Sequence, residues 1–144
     1  MKIGILGGSF NPLHNGHLAL AQAAYYQLQL DEVWFAPSGN HPLKREKLLP
    51  LEERLDLLEQ ALDNFPDFRI SLADTDSDKL SYSDQLVNKL LKKYPEHDFF
   101  FLVGQDILSE LHNWHNYKWL LDHVKLCVFT RMGNFPEHHL TNEE

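Results

Sequence analysis

Two histidines, His14 and His17, stand in the segment Gly7-Gly8-Ser9-Phe10-Asn11-Pro12-Leu13-His14-Asn15-Gly16-His17. These residue types suit one chemistry above others, the holding of a polyphosphate. Gly7 and Gly8 let the backbone approach a phosphate closely and adopt positive φ. Gly16 and His17 open a stretch of helical periodicity, and the unpaired N–H groups and positive dipole at a helix start favour anions. Two imidazoles at this spacing, in a turn entering a helix, lie on one side and donate to phosphate oxygens. The spacing also fits a metal pair, but no third ligand follows at helical distance and no His-Glu-x-x-His occurs. Gly7 and Gly8 alone would mark a tight strand-to-helix turn equally well. Ser9, His14, Gly16 and His17 in register with them tip the balance toward phosphate.

Other phosphate loops fit less well. The Walker pattern needs a Gly-Lys-Ser/Thr that the segment lacks. The dinucleotide fingerprint needs Gly-x-Gly-x-x-Gly, whereas only Gly4, Gly7 and Gly8 are present, and Asp31 and Glu32 stand at the start of the second strand instead of ending it. Gly7-x-Ser9-x-Asn11 lacks the second glycine of a nucleophile elbow.

The elements that must position this loop alternate along the chain. Strand patterns are predicted at Lys2–Gly8, Glu32–Pro37, Phe68–Leu72, Asp98–Val103 and Lys125–Thr130. Helical stripes fall between them: Leu18, Ala21, Tyr25 and Leu28 within Gly16–Leu30; Leu51, Leu55, Leu58 and Leu62 within Leu51–Phe65; Leu86, Leu90 and Leu91 within Asp84–Tyr94. One or two short helices are expected in Ile107–His123. The pattern predicts an α/β, Rossmann-like, doubly wound parallel sheet in a single domain over residues 1–131, followed by an irregular tail over 132–144. Ligands in such sheets sit beyond the carboxyl ends of the strands, where strand order reverses. The polar segments Gly7–His17, Pro37–Lys44 and Gly104–Asp106 all follow strands, so they are expected to meet at one edge.

Composition narrows the partners. The 144 residues carry 21 acidic side chains against 13 Lys plus Arg, a net charge of −8, which argues against nucleic acid as the main partner. A hydrophobic fraction of 43% supports one sizeable core. The single cysteine, Cys127, excludes an intramolecular disulfide and reads as a buried small hydrophobe. No apolar run reaches the ~18 residues of a membrane span, and no signal-peptide cleavage region is present, so a cytoplasmic location is expected.

Gly7-Gly8-Ser9-Phe10-Asn11-Pro12-x-His14-x-Gly16-His17 resembles the signature of the nucleotidylyltransferase superfamily, whose hallmark is a His-x-Gly-His turn. Pro37 through Lys44, the triplet Ser81-Tyr82-Ser83, and Gly104-Gln105-Asp106 followed by Trp114 are similar to the bacterial nicotinate-nucleotide adenylyltransferase branch, and the likeness runs from about Met1 to Arg131. The resemblance implies adenylyl transfer from ATP, carried with Mg²⁺, to nicotinate mononucleotide, with direct in-line displacement and no covalent enzyme intermediate. It implies that His14, His17 and Lys44 act on the phosphates. Gly7, Gly8, Ser9, Phe10, Gly104, Asp106 and Arg131 would complete the ATP site, with Asp106 on the ribose. Ser83, Tyr82 and Trp114 would receive the acceptor, Trp114 by stacking on its ring.

The chain departs from that branch in three places. His41-Pro42-Leu43-Lys44 stands where Pro-Pro-His-Lys is usual, His115 follows Trp114 where an aromatic residue is common, and a Ser-Ser/Thr-x-x-Arg element is absent before Glu144. Two alternatives therefore stay open: a small transferase with another acceptor, such as phosphopantetheine, and a truncated, non-catalytic nucleotide-binding module. Residue by residue, plainer roles also remain. Trp114 lies among Leu111, Tyr117 and Trp119 and could be core, Lys44 and Arg131 could be surface charges, and Asp106 could cap a helix beginning at Ile107.

Overall fold

The computed structural model describes residues 1–39, 49–75, 83–114 and 116–129, and the backbone of residues 138–140. Its strands are β1 (Lys2–Gly8), β2 (Glu32–Pro37), β3 (Phe68–Ile70), β4 (Asp98–Gly104), β5 (Lys125–Phe129) and β6 (His138–Leu140). Its helices are α1 (Asn15–Gln27), α2 (Leu51–Leu62), α3 (Ser83–Lys93) and α4 (Tyr117–His123), with short 3-10 turns at Gln105–Ser109 and Leu111–Asn113. The strands form one sheet in the order β3-β2-β1-β4-β5-β6. Strand order reverses between β1 and β4, which makes this a doubly wound sheet with its switch point at the end of β1.

Two cores flank the sheet, because successive strand residues face opposite ways. Phe99, Phe101 and Val103 of β4 join Ile3, Ile5, Leu86, Leu90 and Leu120 on the α3–α4 side. Phe100 and Leu102 join Leu6, Ala21, Ala24, Leu58 and Leu62 on the α1–α2 side. Burial on both faces explains why β4 reads as an unbroken apolar run. Cys127 is fully buried in the second core.

Helix α1 stops at Gln27, short of the expected Leu30. Gln29 takes a left-handed φ of 53°, and the Leu30 N–H turns back to the Tyr25 carbonyl at 3.1 Å. The buried stripe of α2 is Arg54, Leu58 and Leu62, while Leu51 and Leu55 are only half-buried on its flank. The larger correction concerns the expected irregular tail. Residues 138–140 form β6, antiparallel to β5, with Leu126 opposite Leu140 and Val128 opposite His138. Three residues are too few to display a period, and their partner strand supplies the order by hydrogen-bonding its free edge. No helix among the described residues is long and apolar enough to cross a membrane.

Gly4, in the middle of β1, is required by packing. A Cβ there would lie 2.7 Å from Leu30 Cδ1 and 2.9 Å from Leu102 Cδ1, both on buried side chains. Gly4→Ala gains about 0.4–1 kcal/mol from the unfolded chain but loses about 1–3 kcal/mol to overpacking. Net destabilisation is expected, read as a lower denaturant midpoint with an unchanged m-value; an unchanged or higher midpoint would refute the packing claim.

Candidate functional site

The register places Gly8 of β1 beside Pro37 of β2, and Ile5 beside Phe101 of β4. The loops after β1, β2 and β4 therefore leave the sheet at the same edge, as expected. At Gly7 a Cβ would make only ordinary contacts, 3.7 Å to Leu86 and 3.8 Å to Phe101. Internal packing does not demand a glycine there. Phe10 takes a left-handed φ of 46°, uncommon for an aromatic residue. Its ring is buried against Phe35, with centroids 5.8 Å apart, and lies edge-on to His17 at 5.0 Å. Of Phe10, then, the backbone is what this edge can offer a ligand.

The two histidines form a reciprocal cap at the start of α1. His14 is the N-cap in extended conformation, and its Nδ1 accepts the Gly16 N–H at 3.0 Å. His17 sits at the third helical position, and its Nδ1 accepts the His14 N–H at 3.1 Å. This is the capping-box arrangement built from imidazoles in place of Ser and Glu. The rings lie 3.8 Å apart, tilted by 32°. Gly16 makes that possible, since a Cβ would stand 2.8 Å from His14 Cε1 and 2.9 Å from its Nδ1.

A tautomer follows from these bonds. A ring nitrogen that accepts a hydrogen bond carries no proton, so in each neutral ring the proton rests on Nε2. Both Nε2–H groups are then donors turned away from the backbone. Burial, and secondarily the charge of His14, pulls the His17 pKa from 6.5 down to about 4. His17 is thus a neutral donor at pH 7. Because the folded value lies below the unfolded one, the unfolded chain takes up the proton first. The His17 contribution to stability is complete above pH 6.5 and is lost as pH falls toward 4. Two-bond ¹⁵N–¹H correlation spectra should show the Nε2–H form for both rings and a His17 midpoint near 4. A His17 midpoint above 6 would contradict this geometry.

The loop after β4 contributes Gly104 and Asp106. The first 3-10 turn starts at Gln105, with Gly104 at the cap position and no side-chain cap, so Asp106 is not the cap of a helix starting at Ile107. Instead Asp106 Oδ1 folds back to within 2.8 Å of where a Gly104 Cβ would be, so any larger residue at 104 would shift the Asp106 carboxylate. Ser83 opens α3 half-buried, and Trp114 is half-buried with its ring edge-on to Phe101 at 6.2 Å. Asp84 joins the two segments: buried, it accepts the Asn116 side-chain N–H at 3.2 Å. Lys44, Tyr82 and Arg131 lie outside the described residues, as do His41, Ser81 and His115.

Sequence reading missed Arg54. Only 1% exposed, it donates to the carbonyls of Leu49 at 2.9 Å, Ser9 at 2.8 Å and Ser38 at 2.7 Å. Its four-residue spacing to Leu58, and Leu58's to Leu62, was the available signal: a charge on the inward stripe of a helix. Among the described residues no three His, Cys, Asp or Glu side chains converge to hold a metal ion.

A doubly wound sheet with a histidine-capped turn at its switch point fits an α/β protein of the nucleotidyltransferase class. The chain belongs to the cytidylyltransferase-like family, whose model matches residues 5–143. A relative from Exiguobacterium sibiricum named "Probable nicotinate-nucleotide adenylyltransferase" is 39% identical over 134 residues, 93% of this chain and 71% of that protein. One of the same name from Shewanella pealeana is 39% identical over 133 residues, 92% of this chain and 62% of the relative. The chain thus spans less than two thirds of that second relative's length. The solved Plasmodium falciparum nicotinic acid mononucleotide adenylyltransferase, complexed with NaAD, shares the fold at a TM-score of 0.73 and 20% identity, over 94% of this chain and 66% of that one.

Proposed function

We propose that this chain transfers the adenylyl group of ATP to nicotinate mononucleotide, giving nicotinate adenine dinucleotide and pyrophosphate. The observation that carries the proposal is the reciprocal His14–His17 cap, which leaves two preorganised Nε2–H donors at the switch point. The names of the relatives support the acceptor. A phosphate oxygen of the mononucleotide attacks the α-phosphorus of ATP; the bond to the bridging oxygen breaks, and pyrophosphate departs with the electron pair. No side chain becomes covalently attached. Such transfer is driven by positioning and by donors aimed at developing charge.

In this reading His14 and His17 hold the triphosphate, joined by the backbone of Gly7, Gly8, Ser9 and Phe10 and by the cations Lys44 and Arg131. Gly104 and Asp106 take the adenosine side. Ser83, Tyr82 and Trp114 take the acceptor. The neutral state of His17 suits the task, because it supplies a donor without the desolvation cost of a buried charge. Mg²⁺ enters as part of the ATP substrate; such ions are commonly held by phosphates with few protein ligands.

Pyrophosphate release, measured with MgATP and nicotinate mononucleotide, nicotinamide mononucleotide or phosphopantetheine in turn, tests the assignment. Preferred turnover of the first supports it. Turnover of phosphopantetheine alone would reassign the acceptor. ATP binding with no release for any acceptor would leave a nucleotide-binding module.

A further inference from the structure

Arg54 has no evident reason to be a cation if its task is only to fill the α1–α2 core. Leu58 and Leu62 occupy the same stripe with apolar side chains, and removing a guanidinium from water is costly unless its donors are met. Three main-chain carbonyls accept from its Nε and Nη1, and their addresses are informative. Ser9 lies in the loop after β1, Ser38 in the loop after β2, and Leu49 in the segment entering α2. Asn11 adds a fourth tie, its Oδ1 accepting the Leu49 N–H at 2.8 Å. Ser38 is tied back in turn, its N–H donating to the Gly8 carbonyl at 2.9 Å. One buried side chain therefore sets the relative position of the first two loops of the candidate site.

The bond to Ser9 has a directional consequence. In a planar trans peptide the C=O and the following N–H point in opposite directions. With the Ser9 carbonyl drawn inward to Arg54, the Phe10 N–H is turned away from the buried guanidinium, toward the outside of the loop. Among the described residues no backbone carbonyl accepts that N–H. Phe10 holds the left-handed φ of 46° that this orientation accompanies, a conformation that persists only where its surroundings impose it.

We infer that Arg54 is a positioning residue for polyphosphate recognition: through the Ser9 carbonyl it holds the Ser9–Phe10 peptide with the Phe10 N–H presented to the ligand, and through Ser38 it docks the second loop against the first. The inference rests on the reading of this edge as a nucleotide site, but not on the identity of the acceptor or on turnover.

The test uses the whole chain, its Arg54→Lys and Arg54→Met variants, and two probes, inorganic tripolyphosphate and nicotinate mononucleotide. In the unaltered protein the Phe10 amide resonance should shift on adding tripolyphosphate. Arg54→Lys keeps the charge but cannot reach three carbonyls from one planar fork. Folded Arg54 variants are expected to bind tripolyphosphate at least 10-fold more weakly, with nicotinate mononucleotide affinity within 2-fold of the parent. A merely structural role would weaken both probes together or neither, and either result overturns the inference. If both variants fail to fold, the Phe10 resonance of the unaltered protein decides: a shift with tripolyphosphate upholds the inference, and an unmoved signal at saturation overturns it. Normal tripolyphosphate binding without adenylyl transfer would defeat the proposed function and leave Arg54's role standing.

Discussion

His17→Ala is expected to lower kcat for the proposed adenylyl transfer by at least ~10²-fold, the usual cost of removing one preorganised donor from a developing charge. The fold should survive. Losing the cap bond between His14 N–H and His17 Nδ1 costs about 1 kcal/mol, against a typical domain stability of ~5–15 kcal/mol. His17→Gln separates the two roles, because glutamine at the third helical position can accept the His14 N–H as in an ordinary capping box. Its amide nitrogen then stands near the former Nε2. Stability should return with Gln, and activity only in part. Steady-state kinetics of the two variants, alongside thermal unfolding, make the comparison. A folded His17→Ala enzyme turning over at the parental rate would remove His17 from the mechanism.

Gly16→Ala is expected to produce the second large effect, with an unusual signature. The added methyl meets the His14 ring at 2.8 Å, and that ring cannot stay 3.8 Å from the His17 ring with the methyl present. The ring must swing out, losing its bond from the Gly16 N–H and carrying its Nε2–H away from the cradle. Loss of one hydrogen bond to a charged ligand costs about 1.5–3 kcal/mol, or roughly 10- to 100-fold in ATP affinity. Stability moves little, because the lost cap (~1 kcal/mol) is offset by alanine's better helix propensity (~1 kcal/mol). Calorimetric ATP binding and the melting temperature together test this. Weakened binding at an unchanged melting temperature is the expected result; unchanged binding would show that His14 is not held by Gly16.

Both predictions concern residues that local sequence could reveal. The His14–His17 cap is made within four consecutive residues, so its donors, acceptors and glycine are all present in one short window. Phe10 was legible only in part: its place in the loop could be read, but burial of its ring against Phe35 needed the second strand. Trp114 shows the same limit, since its edge contact with Phe101 arises between segments joined only by folding. Strand β6 stayed hidden because three residues carry no period and their order comes from β5.

Arg54 marks the boundary most sharply. In the chain it is one more charge in the acidic and basic stretch Glu52-Glu53-Arg54, with nothing nearby to name its partners. Alternating apolar periods and the glycine–histidine turn were enough to determine the doubly wound sheet and the place of the histidine turn at its edge, since both depend on local backbone preference and short-range hydrogen bonds. Which side chain would bind the loops of that site together was decided only by tertiary structure. The carbonyls of Ser9, Ser38 and Leu49 lie far apart along the chain and converge on one guanidinium only after the strands have paired.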